Sequence, residues 1–585
     1  MENSESRTKT DWRDITVGTT IYTSGAPWPR GYCDTTNAAR LKSGDWLCVL
    51  TVCESAEGHS GQHVVAVVSQ DRGDTWLPPV DIEPATGPNS SNPILLATQT
   101  GRAYVFYDYN TDGIDTLPDG RKMPQVYCVG HYCYRYSDDS GKTWSSRYRL
   151  PMRLTDVDYE NDWHGEVQLF WGIDHPIIYD NTVYFAFTKT KHYHQIDTET
   201  WIFCSDNILT ESDPGKIHWE LLPEGKKGLR AEEHGTVQSE PNLVALDNGD
   251  LYCMYRTQMG YPCHSYSRDS GRSWSKPVAA TYRPGGKRFK HNRACPRIWK
   301  TDNGRYLFWF NNHGGGDFWP RNPVWVSAGL EHGGYIHWSQ PEILLYGPRP
   351  KFGMSYPDLI EENGRYWITE TQKTIARMHE IDASLLEGMW NQGKVRQITQ
   401  EGLVLSLDAE QTRGGSTTPM PRLPLLAPST GAPAGFTVEF TVSFRDLSPE
   451  QTILDSRSNT GRGLVVKTAD HTGIRVELND GQAICAWECT SDMTKPEAWH
   501  HFVIIVDGAA KILSFVIDGD LWDGGPAQQF GWSRFSNALD DLNGGGTLQI
   551  GPSLRGKLKS VRIYDRYLRT SEAISNFHAQ MDSRI

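Results

Sequence analysis

Ser69-Gln70-Asp71-Arg72-Gly73-Asp74-Thr75-Trp76 returns as Ser137-Asp138-Asp139-Ser140-Gly141-Lys142-Thr143-Trp144, and again as Ser267-Arg268-Asp269-Ser270-Gly271-Arg272-Ser273-Trp274. Each copy follows a short β-rich run (His63 to Val68, Tyr132 to Tyr136, His264 to Tyr266), and the shared pattern Ser-x-Asp-x-Gly-x-Thr/Ser-Trp has the parts of a closed hairpin turn. The Asp can accept hydrogen bonds from the turn's own backbone, the Gly can supply φ > 0, and the Trp can pack beneath the sheet. Recurrence of a unit this size signals a repeat architecture. Asp71, Asp139 and Asp269 are therefore read as turn staples, expected at the periphery of the repeats and away from any chemistry.

A second unit repeats between these turns: a polar or Pro-containing entry, a β run, a Gly/Asn/Asp turn and another β run. Its copies begin near Asp34, Ser91, Asp174, Glu240, Arg293 and Tyr356, which makes six. Degenerate turns at Asp213 to Trp219 and Gly333 to Trp338 fall where the third and fifth units need them. The expected fold is all-β, with a six-bladed β-propeller over residues 15–400. Residues 401–433 turn polar and rich in Pro, Gly and Thr, which reads as a linker. Residues 434–585 then alternate as strands again, for example Phe436 to Phe440, Ile474 to Leu478 and His501 to Val506, and read as a β-sandwich.

The 585 residues carry a formal net charge of −13, and no Lys/Arg cluster is long enough to neutralise a nucleic-acid backbone, so no nucleic-acid partner is expected. With 21 Trp, 26 Tyr and 55 Gly the chain is dense in turns and in aromatic faces on which a sugar can stack, and a glycan or acidic sugar is the expected partner. Met1 to Arg7 has no apolar run and no later stretch spans a membrane, so the sequence reads as lacking a signal peptide and a membrane span, cytoplasmic by default. The eleven Cys lack Cys-x-x-Cys spacing or a companion His array and read as reduced, buried thiols. No phosphate loop, dinucleotide fingerprint or zinc-binding His-Glu-x-x-His is present, so neither a cofactor nor a metal is expected.

The turn octapeptide resembles the Asp box of the sialidase-type propellers, and residues 434–580 resemble the laminin-G or concanavalin-like sandwiches through Trp499-His500-His501-Phe502, Val516-Ile517-Asp518-Gly519 and Val561 to Leu568. Within the first resemblance, Glu240 to Arg256 looks like the segment in which a catalytic Glu opens a strand and a carboxylate-binding Arg closes its partner, at the family's separation of 16. Arg321-Asn322-Pro323 resembles the segment bearing a further arginine of that triad, and Tyr356-Pro357-Asp358-Leu359 resembles the strand that holds a nucleophilic Tyr. The chemistry is coherent. A phenol with an ordinary pKa near ~10 needs a carboxylate to take its proton, and a neutral nucleophile avoids repulsion from a substrate carboxylate at the anomeric centre.

The sequence departs from the family in blade one. Where the first triad arginine is usual, it reads Asp34-Thr35-Thr36-Asn37, which leaves Arg30 as the nearest arginine, and the loop that usually carries the acid/base Asp offers Glu57 and His59. Asp34, His175, Arg293 and Arg297 are further axial candidates at strand starts. Together these imply a sialidase-like retaining exo-glycosidase that releases a terminal acidic sugar, sialic acid or a related ulosonic or uronic acid. A propeller polysaccharide lyase acting on uronate glycans and a non-catalytic carbohydrate-binding protein are the alternatives.

Overall fold

The computed structural model describes residues 11–193, 196–350, 353–427, 434–470, 473–490 and 494–581. The Met1 to Arg7 stretch read above for a leader, and residues 428–433 of the expected linker, lie outside the described residues. Among the described residues no helix is long and apolar enough to cross a membrane. The chain divides into two compact units, one formed by residues 15–338 and 343–383, the other by residues 1–14, 339–342 and 384–585.

The first unit is the propeller. Blade one runs Tyr32–Arg40, Trp46–Cys53, His63–Ser69 and Val80–Asp81, each strand antiparallel to the next. Blades two and three are joined into one nine-stranded sheet by Gln168–Trp171, which pairs with the third strand of blade two and the second strand of blade three. Blades four and five each run four strands outward, from Gln238–Ala245 and Arg297–Lys300. Blade six runs Leu359–Glu362, Arg365–Thr371 and Ile375–Ile381, and its outermost strand is Thr19–Thr23 from the start of the unit. Blade six also meets blade one directly: Ala38 N donates to Asp358 Oδ2 at 2.7 Å, and the Thr36 hydroxyl donates to Tyr356 O at 2.8 Å.

Each octapeptide closes the hairpin between the third and fourth strands of its blade. Asp139 Oδ1 accepts from Thr143 N (2.9 Å) and Ser137 Oγ (2.8 Å), and Oδ2 accepts from Thr143 Oγ1 (2.6 Å). Asp71 and Asp269 make the same three contacts. All three aspartates are exposed, on turns at the blade edge. Gly141 sits at φ +84°, and a Cβ there would meet Leu47 Cδ1 at 2.9 Å, so both conformation and space require glycine. All eleven cysteines are free thiols, ten of them buried.

The second unit is a sandwich of a seven-stranded and a six-stranded sheet. Phe436, Val438, Phe440, Phe502, Ile504 and Phe515 from the first face Leu464, Val466, Ile474 and Val476 from the second across one apolar core. The expected linker differs from what forms. Leu403–Leu407 pairs with Gly556–Tyr564, and Ser416–Pro419 pairs with Thr547–Ile550, so two short segments of residues 401–433 are edge strands of the sandwich. Its polar, Pro-rich composition suits an edge strand as well as a linker, and composition alone does not separate the two.

One buried carboxylate ties the terminal helix to the seven-stranded sheet. Glu439, in Gly435–Phe444, accepts from His501 Nε2 (3.1 Å), Arg562 Nη1, the Tyr564 hydroxyl (3.3 Å), and Asn576 Nδ2 and Gln580 Nε2 (2.6 Å each) of the terminal helix Thr570–Met581. Burial alone would raise its pKa, but His501, Arg562 and Asn576 outweigh burial and hold it below the usual carboxylate range. A depressed folded pKa gives stability that is present above the ordinary value of about 4.3 and is lost as pH falls through the folded value. Glu439→Gln should therefore destabilise this unit by about 3 kcal/mol at neutral pH. The difference in Tm from wild type, followed by calorimetry, should shrink below about pH 4.

Candidate active site

Four of the six blades begin with the same backbone event. In blade one Asp34 pairs with Thr51 but Asn37 pairs with Val49, so the inner strand carries one more residue than its partner. The same bulge separates Ser91 from Ile94, Ser239 from Asn242, and Ser355 from Leu359. The extra residue lies in the left-handed region each time: Thr35 at φ +55°, Asn92 at +53°, Glu240 at +54° and Tyr356 at +47°. For a side chain with a Cβ this costs about 1 kcal/mol or more, and it persists because neighbouring blades hold the kink. Asn92 N donates to Thr51 Oγ1 and Glu240 N to Thr188 Oγ1, both at 2.9 Å.

All four kinked residues line one cavity of about 410 Å³. Tyr356 and Glu240, 116 residues apart, meet there: the phenol donates to Glu240 Oε1 at 3.2 Å. Arg256 Nη1 reaches the same oxygen at 2.7 Å while its Nε donates to Ser239 Oγ at 3.1 Å, and Glu240 Oε2 is buried without a hydrogen-bond partner. Burial, then the charge of Glu240, raise the Tyr356 phenol well above its ordinary value, against the opposing pull of Lys373, Arg321 and Arg256. The phenol is neutral at neutral pH, with a carboxylate in place to accept its proton.

Four cations line the cavity: Arg256, Arg293, Arg321 and Lys373. Arg256 is paired with Glu240, and Lys373 is held between Glu57 (3.2 Å) and Asp34. Arg321 instead donates to Ser355 Oγ (2.6 Å) and Phe318 O (3.0 Å), and stacks 5.2 Å from Trp319. Arg293 lies 4.4 Å over Phe318, with its Nε buried and unpartnered. Burial and the charge of Arg256 lower the Arg293 guanidinium to about 10, which leaves it charged at neutral pH. Two guanidiniums thus face the cavity with no carboxylate ion-paired to them among the described residues. That arrangement suits a carboxylate ligand.

Of the residues singled out from sequence, the cavity gathers Tyr356, Glu240, Arg256, Arg321, Arg293 and Glu57. Glu57 also accepts from the Tyr127 hydroxyl at 3.4 Å. His59 is corrected: it is exposed two residues further along the loop and lines a different depression. Arg30 is corrected as well. It is exposed outside the cavity, while Trp28 of the same loop lines it, and the third guanidinium comes from Arg293 of blade five.

Asp34 lies just outside the cavity wall, wholly buried, where it accepts from Lys373 and the Thr371 hydroxyl. Arg297 and His175 do not line the cavity either. Arg297 donates to Pro357 O (3.0 Å), Ile173 O (2.8 Å) and Asn242 Oδ1 (3.2 Å), and His175 Nδ1 lies 2.9 Å from Asp358 Oδ1. Both stitch blades together: Arg297 of blade five reaches the backbone of blades six and three, and His175 of blade three reaches Asp358 of blade six. Lys373 and Tyr127 went unread in the sequence. Lys373 follows blade six's second strand in a turn with φ +68°, and no motif marks it.

An Asp-box propeller with a cation-lined axial cavity, followed by a sandwich, defines the class. The profile for a BNR repeat-like domain matches residues 54–368, and that for the concanavalin A-like lectin/glucanases superfamily matches residues 422–574. The chain belongs to the BNR repeat-like family, the sialidase-type Asp-box propellers, and carries a concanavalin A-like domain after it. No curated protein sequence is matched. Among solved structures the chain is similar to a protein of unknown function from Dyadobacter fermentans (16% identity, 63% of this chain and 98% of that one, TM-score 0.46). It is also similar to Trypanosoma rangeli sialidase in complex with sialic acid (13%, 94% of each chain, 0.42). A third is the intramolecular trans-sialidase from Ruminococcus gnavus in complex with oseltamivir carboxylate (14%, 63% of this chain and 98% of that one, 0.45).

The Lys373 cluster yields a stability test. Burial lowers the Lys373 pKa, but Asp34 and Glu57 more than compensate and raise it overall, so the ammonium stays charged between them. Lys373→Met would leave the buried Asp34 carboxyl without its cation, and should cost about 3 kcal/mol, measured as a lower Tm. Adding Asp34→Asn should recover a large part of that loss. Additive losses in the double variant would contradict the pairing.

Proposed function

We propose that the propeller is a retaining exo-glycosidase that releases a terminal acidic sugar, sialic acid or a related ulosonic or uronic acid, from glycans. The observation that carries this reading is the hydrogen bond from the buried Tyr356 phenol to Glu240, within a cavity whose Arg293 and Arg321 have no ion-paired carboxylate among the described residues. In the first step the Tyr356 oxygen attacks the anomeric carbon, Glu240 takes the phenol proton, and the bond to the leaving glycosidic oxygen breaks. Glu57 is the other carboxylate lining the cavity and would protonate that oxygen.

In the second step Glu57 accepts a proton from water, whose oxygen bonds to the anomeric carbon, and the sugar–Tyr356 bond breaks as Glu240 returns the proton to the phenolate. Arg256, Arg293 and Arg321 would clamp the sugar carboxylate, with Arg293 in place of the arginine absent from blade one. A neutral nucleophile suits this cavity because a third carboxylate would repel the substrate's own.

Tyr356→Phe should abolish release of the acidic sugar while leaving ligand affinity and Tm close to wild type, since one hydroxyl is lost and the ring remains. Glu240→Gln should lower kcat on the order of 10²–10⁴-fold. The assay is release of the leaving group from aryl glycosides of several acidic sugars, with product absorbance recorded in the near ultraviolet. Wild-type turnover by Tyr356→Phe would sink the mechanism, and an unsaturated product would select β-elimination instead.

A further inference from the structure

A second and larger cavity, about 770 Å³, opens at the outer edge of the propeller and shares no lining residue with the axial one. Its walls come from blade four's outer strands Cys263–Ser267 and Val278–Ala279, the segment that follows them, and blade five's outer strand Tyr335–Trp338. We propose that this cleft binds an acidic oligosaccharide segment, separately from the axial cavity.

Aromatic surface is the first argument. Trp274, Tyr266 and Tyr335 all line the cleft, and Tyr335 is 41% exposed. Their placement is fixed. The Trp274 indole donates to Gly271 O at 3.0 Å, the Tyr266 hydroxyl accepts from Ile336 N at 3.3 Å, and the rings of Tyr266 and Tyr335 meet edge to face at 5.2 Å. Trp274 and Tyr335, backed by the buried Tyr266, offer rigid faces of the kind a pyranose ring stacks on at little entropic cost.

Charge is the second. The chain carries a net −13, yet this wall holds four cations and no carboxylate. Arg268 is committed to Asp250 and Lys276 to Glu233. Arg283 and Arg288 have no carboxylate ion-paired to them among the described residues, and Arg288 lies 5.1 Å over the Tyr261 ring. A tight hairpin presents both: Thr281 bridges Arg288, Tyr282 N donates to Lys287 O (2.9 Å) and Gly286 N to Arg283 O (2.8 Å). Two exposed guanidiniums carried on one hairpin beside aromatic faces match a sugar chain with spaced carboxylates. They are too few for a nucleic-acid backbone. That the ligand is the glycan bearing the scissile sugar rests on the proposed reaction, whereas binding in the cleft does not.

Isothermal titration calorimetry on the full chain tests this, with Tyr356→Phe introduced to block turnover. The probes are α2,8-linked oligosialic acid, its carboxyl-reduced form and poly-glutamate. Oligosialic acid should show two classes of site, and Arg283→Ala/Arg288→Ala should remove one class, at least tenfold in affinity, with Tm unchanged. In the otherwise wild-type chain the same double substitution should leave turnover of a small aryl glycoside unaltered and raise KM for the oligomer. Identical isotherms for parent and double variant would overturn the proposal, as would undiminished cleft binding of the carboxyl-reduced probe or tighter binding of poly-glutamate. If no acidic glycoside is turned over but the cleft isotherm persists, the proposed reaction fails and the cleft stands.

Discussion

A left-handed kink at the head of the inner strand does for this propeller what a loop insertion does in other folds: it turns a side chain out of the sheet and into the axial space. Without the extra residue, Glu240 and Tyr356 would keep strict alternation and point into the faces of their blades. The kink is costly for any residue with a Cβ, and the Thr51 and Thr188 hydroxyls and the Thr36 contact to Tyr356 O hold it in place from the preceding or following blade. The geometry of the axial cavity and ring closure are therefore one constraint. The residues next to the kinks, Asn37, Asn242 and Asp358, bond across blades: Leu95 N donates to Asn37 Oδ1, Asn242 Nδ2 to Pro296 O, and Ala38 N to Asp358 Oδ2.

The electrostatics follow from where the kinks deliver charge. The cavity pairs cation with carboxylate twice, Arg256 with Glu240 and Lys373 with Glu57, and leaves Arg293 and Arg321 over. In a site drawn from water such an excess selects for anions. Lys373 reaches down to Asp34 as well, so blade one enters the site through an ion pair and not through an arginine of its own.

The architecture was legible because the turn octapeptide encodes its own hydrogen bonds: Ser, Asp, Gly and Thr each have one job in the hairpin, and Asp71, Asp139 and Asp269 do it identically. Glu240, Arg256, Arg321 and Tyr356 were legible through the resemblance of their segments, at matching order and spacing, to those of the sialidase-type propellers. Arg297 and His175 also stand at strand starts yet serve as struts, because the described pairings of their blades, five and three, show no left-handed bulge to turn a side chain into the cavity, and periodicity locates a strand start without showing where a bulge falls. His59 and Glu57 differ by two residues in one loop, and only the fold of that loop separates the exposed from the enclosed. Lys373 carried no local signal, since its partners lie 339 and 316 residues away. Composition misread residues 401–433, where edge strands look like a linker.

The central claim is that a protein oxygen, that of Tyr356, bonds to the anomeric carbon before water does. Proton NMR of the first-formed sugar, recorded during turnover of an acidic glycoside before mutarotation scrambles the anomers, reads this directly. Two displacements at one carbon predict that the released sugar first appears with the anomeric configuration of the substrate. First appearance of the opposite anomer, or of an unsaturated sugar, would contradict it.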